Sequence, residues 1–230
     1  MSIQKLINLA STITFDRKKM VGIQYSTNEI AYVSETPTRN PWKMEVVVTA
    51  GLPYGENRDF LEELNRLDRR LPSTFTFSNN AKLDWISSYR GELTPSQLSA
   101  IRVQSFVGNQ LVLTGLPSVP ANTVLFKSGD FIQIGSGTTN PFPFTSVNEV
   151  TRGSGNIVTV TTHRPNFLSG IKDSIITVGS AVTFKMICTN TPSYRLVQGA
   201  TKYSGNLMTN NAYIEFTDVF KLYEYTGVSQ

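Results

Sequence analysis

Only one segment of this 230-residue chain spaces its apolar residues as a helix does. From Glu56 onward, Phe60, Leu64, Leu67 and Leu71 recur three or four apart and Leu61 widens the stripe, which predicts a helix over 56–70 with one buried face. Glu56 and Asp59 near its start, and Arg69 and Arg70 near its end, complement the helix dipole. Glu62 and Arg66 form an i,i+4 pair, and Pro72 stops the helix. Almost everything else alternates over short runs bounded by Gly, Asn, Ser and Pro, the pattern of strands. A single amphipathic helix in such a chain must lie on a sheet. The expected class is therefore mainly β, a β-sandwich or open barrel with one flanking helix.

The strands read off in order. Leu6–Val33 holds two or three, with Ser11–Phe15 leading into the basic turn Arg17-Lys18-Lys19. Val21, Ile23 and Tyr25 then pair across Ser26-Thr27-Asn28 with the run through Ile30 and Tyr32. Thr36–Pro41, with two prolines, is a connector. Trp42, Met44, Val46 and Val48 share one face of a strand that Gly51–Gly55 ends. Strands are expected at Thr74–Phe77 and on through Leu83, Trp85 and Tyr89. Leu93-Thr94-Pro95 interrupts. Ile101 and Val103 then lead to the Gly108-Asn109 turn and Leu111–Leu113.

From Gly115 to Gly170 the character changes. Charge is scarce, and short strands centred on Val124–Phe126, Phe131–Ile134, Phe144–Val150 and Ile157–Thr161 are separated by sharp Gly/Asn turns. Residues 115–170 read as an inserted small β-barrel module, and 1–114 plus 171–230 as the body that carries it. Beyond the insertion, Val182, Phe184 and Met186 form one face of a strand. Asn190–Asn211 reads as a turn-rich, exposed loop. A long aromatic final strand, Ala212–Tyr225, carries Ile214, Phe216, Phe220 and Leu222 and is expected to pair centrally in a sheet.

Chemistry-bearing residues are sparse. Charged residues make up 17% of the chain, below the roughly 25% of an average soluble protein. The net charge of +4 is modest, and its basic residues fall at a turn and a helix end rather than in a nucleic-acid patch. Cys188 is the only cysteine, so neither an intrachain disulfide nor a cysteine metal cluster forms, and a buried, reduced thiol is expected. His163, the only histidine, is read as structural rather than as a base or ligand. Glu62-Glu63 reads as a solvated helix face, and Asp130, after Gly129, as a turn-stabilising side chain. Asp218 interrupts the last strand. Gly135-Ser136-Gly137 and Gly153-Ser154-Gly155 lack the strand-to-helix setting of a phosphate loop and read as hairpin turns. Tyr89, Phe142 and Phe144 fit core or interface packing more simply than a sugar platform. No enzyme activity, metal or cofactor is expected. The N-terminus lacks the features of a signal peptide, and no apolar run reaches the ~18 residues of a membrane helix, so a soluble protein without a membrane anchor is expected.

The order of PWKMEVVVTAGLPYGENRDFLEELNRLDRRL, a strand, a loop and a single helix, followed by more strands and the closing AYIEFTDVFKLYEYTG, resembles the tail-tube fold of long-tailed bacteriophages. That β-sandwich with one flanking helix recurs in tube proteins, distal tail proteins, baseplate hub components and tail terminators. The middle stretch, with GDFIQIG, FTSVNEV, GSGNIVTV and HRP, looks like the small barrel modules of phage minor tail proteins. The resemblance covers most of the chain at the level of architecture. It implies a virion structural protein, assembled in the host bacterial cytoplasm as a ring, commonly a hexamer, at the junction of tube and baseplate. Neighbouring subunits would pair sheet edges, and DNA would pass the lumen without sequence-specific binding. The inserted module would face other tail tube and baseplate proteins. Trp42, Tyr54, Phe142, Phe144, Tyr213, Phe216 and Tyr223 are the expected subunit or partner contacts. The alternatives are a main tube or terminator subunit, and a non-viral carbohydrate- or receptor-binding β-sandwich.

Overall fold

The structure is a computed structural model that describes residues 3–17, 21–25, 31–35, 40–65, 71–78, 82–137, 139–190, 192–198, 202–204, 207–209 and 212–226. It is mainly β, with small antiparallel sheets and three α-helices among the described residues. The chain opens with α1 (Ile3–Asn8), β1 (Ala10–Asp16), β2 (Val21–Tyr25) and β3 (Ala31–Glu35), then β4 (Lys43–Val48), β5 (Leu52–Pro53), α2 (Tyr54–Asn65) and β6 (Ser73–Phe75). After a 3-10 turn at Asp84–Ser87 come α3 (Pro95–Ala100), β7 (Arg102–Val107), β8 (Gln110–Thr114), β9 (Val124–Phe126), β10 (Phe131–Ile134), β11 (Phe144–Thr145), β12 (Val150–Thr151), β13 (Ile157–Thr161) and β14 (Ile176–Val178). The last part holds β15 (Phe184–Cys188), β16 (Tyr194–Gln198), β17 (Lys202–Ser204), β18 (Leu207–Thr209), β19 (Ala212–Phe216) and β20 (Phe220–Glu224). Two compact units result: 1–16, 42–75 and 185–230 form the first, and 17–41 with 76–184 the second.

The first unit is built on a five-stranded sheet in the order β1-β4-β20-β15-β6. The alternation in β4 works as expected: Met44, Val46 and Val48 are buried, and Glu45 and Val47 are exposed. β15 buries Phe184, Met186 and Cys188 in the same rhythm. Residues 6–9 are not a strand, because α1 places Ile3, Leu6 and Ile7 together on a buried face. The helix expected over 56–70 begins at Tyr54, and Phe60, Leu61 and Leu64 are its buried stripe. Leu67 and Arg66–Arg70 lie outside the described residues, and Leu71 is exposed. The aromatic run 212–225 is two strands rather than one. The break falls at Asp218, whose Oδ1 accepts from Val219 N at 2.7 Å, while Thr217 N donates to Ser193 O. Its second half, β20, is the central strand of the five, and its first half, β19, belongs to a separate sheet, β16-β19-β5. The expected loop at 190–211 contains β16 and the β17–β18 pair.

The second unit contains the sheets β13-β8-β7, β11-β10-β14 and β12-β9, and the β2–β3 ribbon. The strands expected at 124–126, 131–134 and 157–161 are present, while 144–150 supplies two short strands, β11 and β12. β8 runs between β7 and β13, with Val112 opposite Thr159 and Ser105. Ile101, Val103, Leu111 and Leu113 therefore share one core with Leu125, Ile132, Ile134, Phe144 and Val160. The compact unit that holds 115–170 accordingly reaches back to residue 76 and also takes in 17–41. The reason is that the apolar faces of β7 and β8 meet strands from beyond residue 115. The described sheets are open, and none closes into a barrel.

Two stretches near the start of this unit depart from the expected strands. Asp84–Ser87 is a 3-10 turn that leaves Trp85 exposed. Leu93-Thr94-Pro95 is a helix start: Gln97 N donates to Thr94 Oγ1, Thr94 N donates to Gln97 Oε1, and Pro95 occupies the first turn of α3. This reciprocal capping box satisfies donors that a helix otherwise leaves open.

Candidate functional site

Of the seven aromatic residues expected at an interface, three converge on the sheet β16-β19-β5 beside α2. Tyr213 lies opposite Pro53, the residue that precedes Tyr54 and the start of α2. Asn57 Nδ2 donates to Pro53 O at 2.9 Å and fixes the first helical turn against the strand. Phe216 lies opposite Tyr194 on β16, their rings 6.1 Å apart and edge-on. Phe216 also meets Phe60 of α2 at 6.3 Å and Phe220 at 5.1 Å. Edge-to-face contacts of this kind add to simple burial and hold the rings in one arrangement.

Between α2 and β16 lies a groove of about 380 Å³. Its walls are Tyr54, Arg58, Asp59, Leu61, Glu62 and Tyr194. Arg58 sits 5.7 Å from the Tyr54 ring. β16 is the outer strand of its sheet, and four of its five residues are exposed, Leu196 at 50%. On the opposite face from Leu196, Arg195 and Glu215 pair across the strands at 2.7 Å, an exposed bridge of small worth. An exposed strand edge offers a row of backbone donors and acceptors to another chain. Here an aromatic and charged groove runs beside it. The arrangement suits recognition of extended polypeptide.

The other four expected residues lie elsewhere. Trp42 is 4% exposed, packed edge-on to Phe15 at 5.5 Å, and its backbone exchanges hydrogen bonds with Glu224. Phe144 is fully buried in the core of the second unit. These two are occupied by packing. Phe142 is half-buried, edge-on to Phe167 at 5.4 Å. Tyr223 is half-buried, with Lys43 Nζ 5.8 Å from its ring, in a groove of about 210 Å³ on the β1-β4-β20 sheet. Tyr194 and Leu196 were not anticipated. Their alternation was legible, but the turn residues around them hid a five-residue strand.

His163 and Arg164 form a structural clasp in the second unit. Thr145 N donates to His163 Nδ1 at 3.0 Å, and His163 N donates back to Thr145 O. Burial first, then the guanidinium groups of Arg164 and Arg17, push the imidazole pKa down to about 2. It is therefore neutral at physiological pH. Arg164 is fully buried, its guanidinium 4.9 Å from the rings of both Phe144 and Phe167. It donates to Pro143 O at 2.9 Å and to Asn40 O at 3.5 Å. Arg17 donates to Thr145 Oγ1. Both ends of the 17–41 segment are thus tied to one place.

Asp130 holds a turn, as expected. Its carboxylate accepts from Lys127 N at 2.8 Å and Arg90 N at 3.1 Å, with Arg90 Nε 3.6 Å away. Cys188 is buried, and its Sγ lies 2.7 Å from Asn190 O. Among the described residues no group of three or more His, Cys, Asp or Glu side chains is placed to hold a metal ion, and no helix is long and apolar enough to cross a membrane. No family model matches the chain, and the search of the curated proteins found no match.

Proposed function

We propose that this chain is a virion structural protein of a phage tail, a subunit of a ring at the junction of tube and baseplate through which DNA passes. The observation that carries the reading is the exposed edge of β16 beside α2, where Tyr54, Tyr194, Tyr213 and Phe216 gather. Ring subunits joined sheet edge to sheet edge need such a strand, and closure of the ring would cover it. The order of sheet strand, loop and helix from Trp42 to Asn65, and the central place of β20, agree with the architecture that the resemblance implies. On this reading the chain is not an enzyme, and its partners are further copies of itself and other tail proteins.

Electron microscopy of the purified protein, and of particles containing it, tests the proposal. Rings with a central hole are expected, at one ring per particle. Many stacked rings would move the protein to the tube, and a strictly monomeric chain in both settings would sink the idea. Leu196→Lys, a charge on the outer strand, is expected to leave the subunit folded and abolish the rings.

A further inference from the structure

We infer that the outward face of the β13-β8-β7 sheet is a contact between two copies of this chain, packed face to face. The inward face of this sheet, with Val103, Phe106, Leu111, Leu113 and Val160, lies in the core of the second unit. The register sets the outward residues in three rows: Ile157, Thr114 and Arg102; then Thr159, Val112 and Ser105; then Thr161, Gln110 and Val107. Ile157, Val112 and Val107 therefore cross the face as an apolar diagonal. Ile157 is 53% exposed and Val107 76%. Large aliphatic side chains so exposed at both ends of one stripe mark a surface that gains by being covered.

The rest of the face says what kind of cover fits. Thr114, Thr159, Thr161, Ser105 and Gln110 are all uncharged, and each side chain can both donate and accept a hydrogen bond. Gln110 Nε2 already donates to Thr161 Oγ1 at 3.4 Å. The only charge is Arg102 at one corner, where Nη1 donates to Ser99 O and Ile101 O. A charged partner would have to strand its ions against Val112 and its neighbours. A second copy of the same face brings only Arg102, at a corner away from Val112 and already hydrogen-bonded to Ser99 O and Ile101 O. Its hydroxyl and amide groups complement themselves, and a two-fold axis over Val112, along the diagonal, lays the apolar stripe on its own copy and brings Arg102 toward the Thr161 side of the partner copy rather than toward its Arg102. Sheets that pack this way form the two layers of a sandwich. The contact uses neither β16 nor α2, so it stands or falls apart from the ring.

Sedimentation of the full chain over a concentration series is the first test. In a Leu196→Lys background, which removes the ring contact, Val107→Asp with Ile157→Asp is expected to weaken self-association at least about tenfold, with Glu149→Lys, exposed and off this face, leaving it unchanged. Val112→Cys is the second, since it needs only one small change: a short bismaleimide is expected to link it into dimers, while the wild-type chain, with Cys188 buried, stays unlinked. Leu196→Lys should abolish rings yet keep the Val112→Cys cross-link. An uncross-linked Val112→Cys, or a Leu196→Lys chain that self-associates equally with and without the two aspartates, overturns the inference.

Discussion

Asp130 carries more of the second unit's stability than a turn residue of its size suggests. It is 1% exposed and receives two backbone N–H groups that no other described carboxylate replaces. Asp130→Ala is expected to cost about 2–3 kcal/mol, because both donors are left unsatisfied, measurable as a lower denaturant midpoint with an unchanged slope. Gly91 is a tighter constraint still. A Cβ there would fall 2.2 Å from Tyr89 Oη and 2.5 Å from Leu125 O, the carbonyl that Tyr89 Oη donates to. Gly91→Ala is therefore expected to lose roughly 2 kcal/mol. Adding Tyr89→Phe should not restore it, since the Leu125 carbonyl remains. His163 gives a pH signature. It accepts a proton readily only when unfolded, so its contribution is complete above about pH 6.5 and falls as pH drops below that value toward 2, by about 1.4 kcal/mol per pH unit. Its ring signal in a proton spectrum, unambiguous because the chain has one histidine, should stay untitrated from pH 8 to 4; a midpoint near the ordinary histidine value would overturn the burial argument. The role of Asp130 was legible because a glycine–aspartate pair in a turn has few other uses. The collar around Tyr89 was not, since it depends on backbone brought together from residues 91, 125 and 179.

The elements divide by how far their cause lies along the chain. β4, α2 and β15 carry their burial in their own period, so their inner faces could be read directly. Leu64→Asp places a charge on the buried face of α2 and is expected to cost several kcal/mol, about 3–5, seen as a lost or shifted unfolding transition. α3 was missed because Thr94-Pro95 is as good a helix start as a strand breaker, and only the reciprocal bonds with Gln97 decide between them. The split of 212–225 was half visible in Asp218, but which sheet each half joins is a matter of pairing, not propensity. The candidate interface shows the same limit. Tyr54, Tyr213 and Phe216 were identifiable as aromatics with no local purpose, whereas Trp42 and Phe144 look the same in sequence and are buried.

At the scale of the molecule, each unit is assembled from separate stretches, 1–16, 42–75 and 185–230 in one and 17–41 and 76–184 in the other. Two unfolding transitions are expected in calorimetry, with Leu64→Asp lowering one and Asp130→Ala the other. Excision of 115–170 should abolish the second, because β7 and β8 would lose β13 and the core behind them. The place of β20 in the middle of the five-stranded sheet has a further consequence for synthesis. β1 and β4 leave the ribosome early, yet the strand that joins them to β15 is not made until residues 220–224. A nascent chain shorter than that cannot close its sheet, so a product released early carries two unmatched halves. Completion of the first unit therefore waits on translation of nearly the whole chain.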